Sequence, residues 1–317
     1  MRRFLLIVIL AGTFVPSAAA DGLPVLGIDD GSNGVTVPAA AARYVTIPAT
    51  RGTLVERINR NGGQVLATSL FPGNYTIPAV AYDGTPGGLS ADGRTLALIE
   101  PRTGFPRRTT NLLVLWAPSL RYRATVRLKG DFSFDAISPD GSRLFLIQYL
   151  SPTDPTRYAV RRYSVPALRL AAAPIVDPAN PREKMRGNPL SRVASPDGNW
   201  AYTLYDGGGG TPFVHALDTA SGTARCIDLD GLDLRTVWRL RLTVAQSGRT
   251  IDVVDRGKLL LSVDSRSFSV SRPHGSSHWI RFVSIALTAA ALVLLAVALG
   301  SARGRTRRRA AWDSPLL

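Results

Sequence analysis

The groups able to do chemistry are few and scattered. The chain holds three histidines, His215, His274 and His278, and one cysteine, Cys226. No two histidines stand at a spacing such as His-Glu-x-x-His, so no metal-binding helix face is expected. No Gly-x-Ser-x-Gly nucleophile elbow occurs. The run Gly207–Gly210 is not followed by Lys-Ser/Thr, so it does not read as a phosphate loop. Glu56, Glu100 and Glu183 lie far apart. A carboxylate pair for glycoside chemistry would have to be assembled from distant segments. Cys226 sits in Ala224-Arg225-Cys226-Ile227-Asp228-Leu229, a strand-like stretch in which a structural thiol is the expectation. No cofactor is expected and the chain does not read as an enzyme.

What remains is arginine. Of the 38 basic residues against 23 acidic ones, all but Lys129, Lys184 and Lys258 are Arg. Several fall in long irregular stretches: Arg102, Arg107 and Arg108 in 101–109, Arg157 in 151–157, and Arg182, Lys184 and Arg186 in 177–189. Long loops on a rigid scaffold are where binding concentrates. These seven residues are therefore the candidate binding face, set against the plainer reading of a solvated loop surface.

The scaffold is legible from one repeated phrase, a turn followed by an apolar strand. Its fullest form is Ser138-Pro139-Asp140-Gly141-Ser142-Arg143 and the apolar run after it. Ser90-Ala91-Asp92-Gly93, Ser195-Pro196-Asp197-Gly198 and the worn Gln246-Ser247-Gly248 repeat it. Pro presets the first corner, Asp bonds forward to the backbone, and Gly takes the positive φ. Asp92, Asp140, Asp197 and Ser247 mark a period of about 50 residues, which suits a unit of several short strands repeated radially. Calcium at these Asp residues is not expected, because one ion needs several converging oxygens.

Strands are expected at Arg43–Pro48, Thr53–Asn59 and Gln64–Leu70, then at Thr95–Glu100, Asn111–Trp116 and Tyr122–Leu128. A third unit covers Phe132–Ile137, Arg143–Tyr149, Tyr158–Val165 and Leu168–Val176, and a fourth Leu190–Ala194, Trp200–Tyr205, Pro212–Leu217 and Ala224–Leu229. The fifth covers Val237–Val244, Thr250–Val254, Lys258–Val263 and Phe268–Val270. The first unit is incomplete, and Pro24–Ile28 or Gly34–Val37 is available to complete it. The expected fold is all-β, a propeller of about five four-stranded blades. With up-and-down strands, the short Asp-Gly turns share one face and the long loops the other.

Ser-Pro-Asp-Gly-Ser/Asn before an apolar strand, with Ala216-Leu217-Asp218-Thr219-Ala220-Ser221-Gly222, resembles the repeats of bacterial extracytoplasmic β-propellers. The likeness is to YVTN-type surface propellers and the periplasmic Tol-system type, across about Arg43 to Val270. The Trp-Asp ending of eukaryotic WD40 repeats is missing from the repeats. The resemblance implies the fold and an envelope setting. It does not imply a function, because propellers host many.

The chain ends supply an address. Met1-Arg2-Arg3, the apolar Phe4–Val15 and Ser17-Ala18-Ala19-Ala20 read as a signal peptide over residues 1–20. The propeller is expected over 21–271 and a stalk over 272–280. A transmembrane helix over 281–302 contains the uncharged run Phe282–Gly300, about 28 Å long at 1.5 Å per residue. Trp279 stands at its outer edge, and Arg303, Arg305, Arg307, Arg308 and Arg309 follow in a cytoplasmic tail over 303–317. The expectation is a single-pass plasma-membrane protein with its N-terminal domain outside. One cysteine leaves no internal disulfide, so the core alone must hold the domain. The net charge of +15 suits anionic lipid headgroups, an anionic envelope polymer or an envelope protein; export makes nucleic acid an unsuitable partner. The functional expectation is a binding or scaffold module of the envelope. A propeller hydrolase or lactonase and a purely structural surface protein are the alternatives.

Overall fold

The computed structural model describes residues 34–61, 63–182 and 185–273. The expected signal peptide, the segment Pro24–Ile28, most of the stalk, the transmembrane helix and the basic tail lie outside the described residues. Among the described residues no helix is long and apolar enough to cross a membrane.

Among the described residues eighteen strands form five antiparallel sheets, each ordered as the chain runs. The first sheet holds β1 (Ala42–Ala49), β2 (Gly52–Asn59) and β3 (Val65–Phe71). The second holds β4 (Thr95–Ile99), β5 (Thr109–Trp116) and β6 (Arg121–Lys129). The third holds β7 (Phe132–Ile137), β8 (Arg143–Tyr149), β9 (Tyr158–Ser164) and β10 (Arg169–Ile175). The fourth holds β11 (Pro189–Ala194), β12 (Trp200–Tyr205), β13 (Phe213–Asp218) and β14 (Thr223–Asp228). The fifth holds β15 (Leu240–Val244), β16 (Thr250–Asp255), β17 (Lys258–Asp264) and β18 (Val270–Ser271).

Residue pattern follows layer. Strand β4, Thr-Leu-Ala-Leu-Ile, is buried throughout because neighbouring sheets cover both its faces. Strand β6 alternates, with Ala124, Val126 and Leu128 inward and Arg121, Arg127 and Lys129 toward water. The apolar clusters join consecutive sheets. Tyr44 and Val55 pack with Leu98 and Leu115; Val114 and Val126 with Phe134 and Leu146; Phe145 and Val160 with Ala201 and Leu217; Val214 and Leu204 with Leu242 and Val253. None of these clusters unites the first and fifth sheets among the described residues. The result is an all-β, propeller-type fold.

Two sheets depart from the expected four strands. In the first, Val35 pairs with Tyr44 as an isolated bridge, so the Gly34–Val37 segment lies beside β1. In the second, the edge of β4 is paired in two pieces, Thr76 against Ile99 and Leu89 against Leu96. Between them the chain makes an excursion over residues 77–87, pinned by an Ala79–Pro86 bridge. Its tip reaches the fourth sheet, where Tyr82 N–H and Asp83 N–H donate to the Pro189 and Leu190 carbonyls (2.9 and 3.2 Å).

Three expected strands begin late for local reasons. Leu168 and Phe268 hold φ of 49° and 56°. Strands do not permit a positive φ, so β10 and β18 begin after these residues. Val237–Arg239 is a 3₁₀ turn, prepared by Asp233 accepting from Arg235 N–H (2.9 Å).

The repeated turn is wired by two side chains. In the third sheet Asp140 accepts from Ser142 N–H (3.0 Å) and from the Ser138 hydroxyl, and Ser138 Oγ accepts from Arg143 N–H (3.0 Å). Ser90/Asp92 and Ser195/Asp197 repeat this geometry. Burial works against charge on Asp140, but the Ser138 and Ser142 hydrogen bonds outweigh it and hold the carboxyl at about 2. Gly141 has φ of 67°. It also lets the turn touch the second sheet: a Cβ there would stand 2.1 Å from Thr95 Oγ1.

A basic cleft as candidate functional site

The candidate arginines separate into two groups. Arg102 and Arg107 turn inward. Arg102 is buried and its guanidinium pairs with Asp131, itself buried, while Tyr149 lies under it at 5.0 Å from the ring centroid. Asp131 also accepts from Arg107 N–H (2.9 Å), and the Arg107 guanidinium donates to the Glu100 (2.7 Å) and Phe132 carbonyls. Burial and the neighbouring Arg102 lower the Arg107 pKa to about 10. These two residues fasten the 101–109 loop to the third sheet, which corrects their expected place on the binding face. Arg108 is exposed.

Arg157 from one loop and Arg182 and Arg186 from a second line one cleft of about 920 Å³ between the third and fourth sheets. Lys184 lies outside the described residues. Both loops are fastened. Asp154 accepts from Thr156 N–H (2.9 Å) and its hydroxyl (2.6 Å), and Leu150 N–H donates to the Arg157 carbonyl (2.8 Å). Asp177 anchors the start of the second loop by accepting from Cys226 N–H (2.9 Å), Ala179 N–H (2.8 Å) and Arg225 (3.3 Å). Its end is held by Asn188, whose N–H and side-chain amide both donate to Asp206 (2.8 Å each).

The Gly207–Gly210 run makes room for that anchorage. A Cβ on Gly210 would lie 2.5 Å from Arg186 Nη2, so the bare backbone lets Arg186 lie across it. Both acids in the cleft wall are engaged by protein donors, Asp154 by Thr156 and Asp177 by Arg225 and the backbone. Three guanidiniums, Arg157, Arg182 and Arg186, outnumber the two carboxylates, so the mouth is positive.

The floor mixes apolar and polar groups. Val160, Pro174, Ile175 and Met185 line it, with His215 and Cys226. Register explains His215. Arg192 pairs with Thr203, Thr203 with His215 and His215 with Cys226, so one row crosses the fourth sheet. Val214 and Ala216 point the other way, into the core shared with the fifth sheet. His215 is 1% exposed. Burial lowers its pKa to about 4, so the imidazole is neutral at pH 7. Its Nδ1 has no hydrogen-bond partner. Farther in, Arg192 pairs with Asp135 on β7, and Thr203 Oγ1, Arg192 Nε and Asp135 Oδ2 also lack partners. The sequence marked His215 only as one alternate position of a strand; its depth and its row depend on strand register.

Among the described residues no group of three or more His, Cys, Asp or Glu is placed to hold a metal ion. No protein-family model and no curated protein matches the chain. Solved structures that it resembles include TolB from Acinetobacter baumannii, at 15% identity, 73% of this chain, 51% of that chain and a TM-score of 0.41. The β-propeller domain of Cps50 (Swd1) from Myceliophteria thermophila matches at 10% identity, 74% of this chain, 68% of that one and a TM-score of 0.43. The Dos1 propeller matches at 12% identity, 76% and 58% coverage and a TM-score of 0.43. The chain spans about half the length of the TolB structure. At these identities the likeness concerns fold alone.

Proposed function

We propose that the chain is a non-catalytic binding and scaffold module of the cell envelope. Its apolar C-terminal stretch anchors it in the membrane, and its long-loop face meets anionic groups at the membrane surface. The carrying observation is the convergence of Arg157, Arg182 and Arg186 on one cleft, where they outnumber the carboxylates Asp154 and Asp177. Arg108 adds exposed charge on another long loop of that face. The last strand, β18, ends at Ser271, and the seven residues 272–278 after it would reach at most about 25 Å when extended. Guanidiniums favour bidentate recognition of phosphate and carboxylate.

Co-sedimentation of the chain ending at Pro273 with phosphatidylglycerol-containing vesicles tests this. Binding is expected only with anionic lipid and is expected to weaken with salt, since exposed charges are screened beyond about 10 Å at about 0.1 M. Replacing Arg157, Arg182 and Arg186 by Ala is expected to cost about 1 kcal/mol for each arginine that sits near the surface. Binding indifferent to lipid charge and to salt overturns the proposal.

A further inference from the structure

The cleft is more than a charged patch, because its interior is built. Its volume is about 920 Å³. That is the size of a small-molecule site. Its mouth is cationic and its walls are largely apolar. At its floor stands His215, a side chain 1% exposed whose Nδ1 has no partner. Leaving such an atom bare forfeits the hydrogen bond it would otherwise make with water. The cost recurs at Thr203 Oγ1 and Arg192 Nε farther in. A neutral imidazole can donate or accept at Nδ1, according to tautomer. Solvated loop charge would explain the mouth but gives no reason for unpartnered polar atoms behind an apolar lining.

We infer that this cleft takes a small, soluble organic anion. The phosphate or carboxylate is held at the mouth by Arg157, Arg182 and Arg186. The apolar body lies on Pro174, Ile175 and Met185. A polar substituent at the far end meets His215 Nδ1. The inference rests on the reading of the long-loop face as the binding face, and narrows it to a ligand class.

Cys226 supplies the readout. It is the only cysteine in the chain, is half-buried, and lines the cleft beside His215. The full-length chain in neutral detergent is reacted with N-ethylmaleimide at pH 7. Three probes are compared: 1-naphthyl phosphate, which carries both parts, inorganic phosphate and 1-naphthol. Naphthyl phosphate is expected to slow labelling saturably, at least fivefold, with either fragment alone slowing it less than twofold. Arg182→Ala/Arg186→Ala is expected to raise the half-protecting concentration about tenfold, which is about 1.4 kcal/mol. Its unliganded labelling rate, kept within twofold of the parent, shows that the cleft is still formed. Should that rate change, Arg157→Ala on the opposite loop is read in its place.

Absence of protection by naphthyl phosphate, or equal protection by inorganic phosphate, overturns the inference. So does protection that the arginine variants leave unchanged. Phosphatidylglycerol vesicles that protect Cys226 as strongly as naphthyl phosphate also overturn it, because the ligand is then a lipid headgroup. Vesicle binding without naphthyl phosphate protection removes this inference and spares the surface contact; protection without vesicle binding does the reverse.

Discussion

Asp131→Asn probes the division between inward and outward arginines. The Asp131 carboxylate is buried and takes Arg102 Nε on both oxygens (3.2 Å each), Arg102 Nη2, and the Arg107 N–H (2.9 Å). Asparagine keeps the shape and one oxygen. It places an amide NH₂ against either a guanidinium or a main-chain N–H, and it removes the charge that balances Arg102. Breaking a buried pair from one side costs about 3–5 kcal/mol, because the surviving charge is left without compensation. In a domain of this size each kcal/mol lowers Tm by about 2–4 °C, so a fall of roughly 6–20 °C is expected. Urea unfolding of the chain ending at Pro273 reads it as a lower midpoint at unchanged slope. Arg108→Ala, on the same loop but exposed, should stay within about 0.5 kcal/mol. A loss under about 1 kcal/mol for Asp131→Asn would refute the claim that this carboxylate fastens the loop.

Three further expectations concern titration and backbone. His215 has a folded pKa of about 4. Its unfolded value is about 6.5, so the unfolded chain takes up the proton first. Stability is therefore whole above about pH 6.5 and is lost as pH falls toward 4, by about 3 kcal/mol at about 1.4 kcal/mol per pH unit. Urea midpoints across that window should decline in the parent and stay nearly level in His215→Gln, and a level parent profile would count against the burial argument. Asp140 falls in a separate window, its contribution fading only as pH drops from about 4 toward 2. Gly141→Ala and Gly63→Ala form a matched pair, at φ 67° and 68°. Gly63 faces open space. Its substitution should cost only about 1–2 kcal/mol, the penalty of left-handed backbone. Gly141→Ala adds a clash with Thr95. It should cost about 1–3 kcal/mol more in the same urea assay.

Much of the architecture was legible because its determinants are local. The Ser-x-Asp-Gly phrase carries its own hydrogen bonds, so each occurrence announces a strand pair without help from the rest of the chain. The serine half of that wiring, at Ser90, Ser138 and Ser195, is not legible in the sequence, since nothing local marks which N–H a turn hydroxyl accepts from. The site was legible only in outline. Arg102 and Arg108 are indistinguishable in sequence; what separates them is Asp131, which lies at the start of the next sheet. Arg157 and Arg186 belong together because the third and fourth sheets are adjacent, and that follows from the repeat. The 77–87 excursion broke the repeat, and no periodic reading finds an interruption whose partner is a carbonyl on Pro189.

That excursion changes what kind of object the five sheets make. Sheets stacked neighbour upon neighbour behave as a linear array, in which each unit is stabilised only by the next and loss can begin at any interface. The Tyr82 and Asp83 hydrogen bonds skip the third sheet and tie the second to the fourth. The three middle sheets are thereby closed into a loop of mutual support. The tie also spans a long stretch of sequence. During synthesis the excursion emerges well before its acceptors at Pro189 and Leu190, and its backbone donors must wait in water until the fourth sheet exists. Completion of the middle block is thus timed by its last strand pair, however early its first was made.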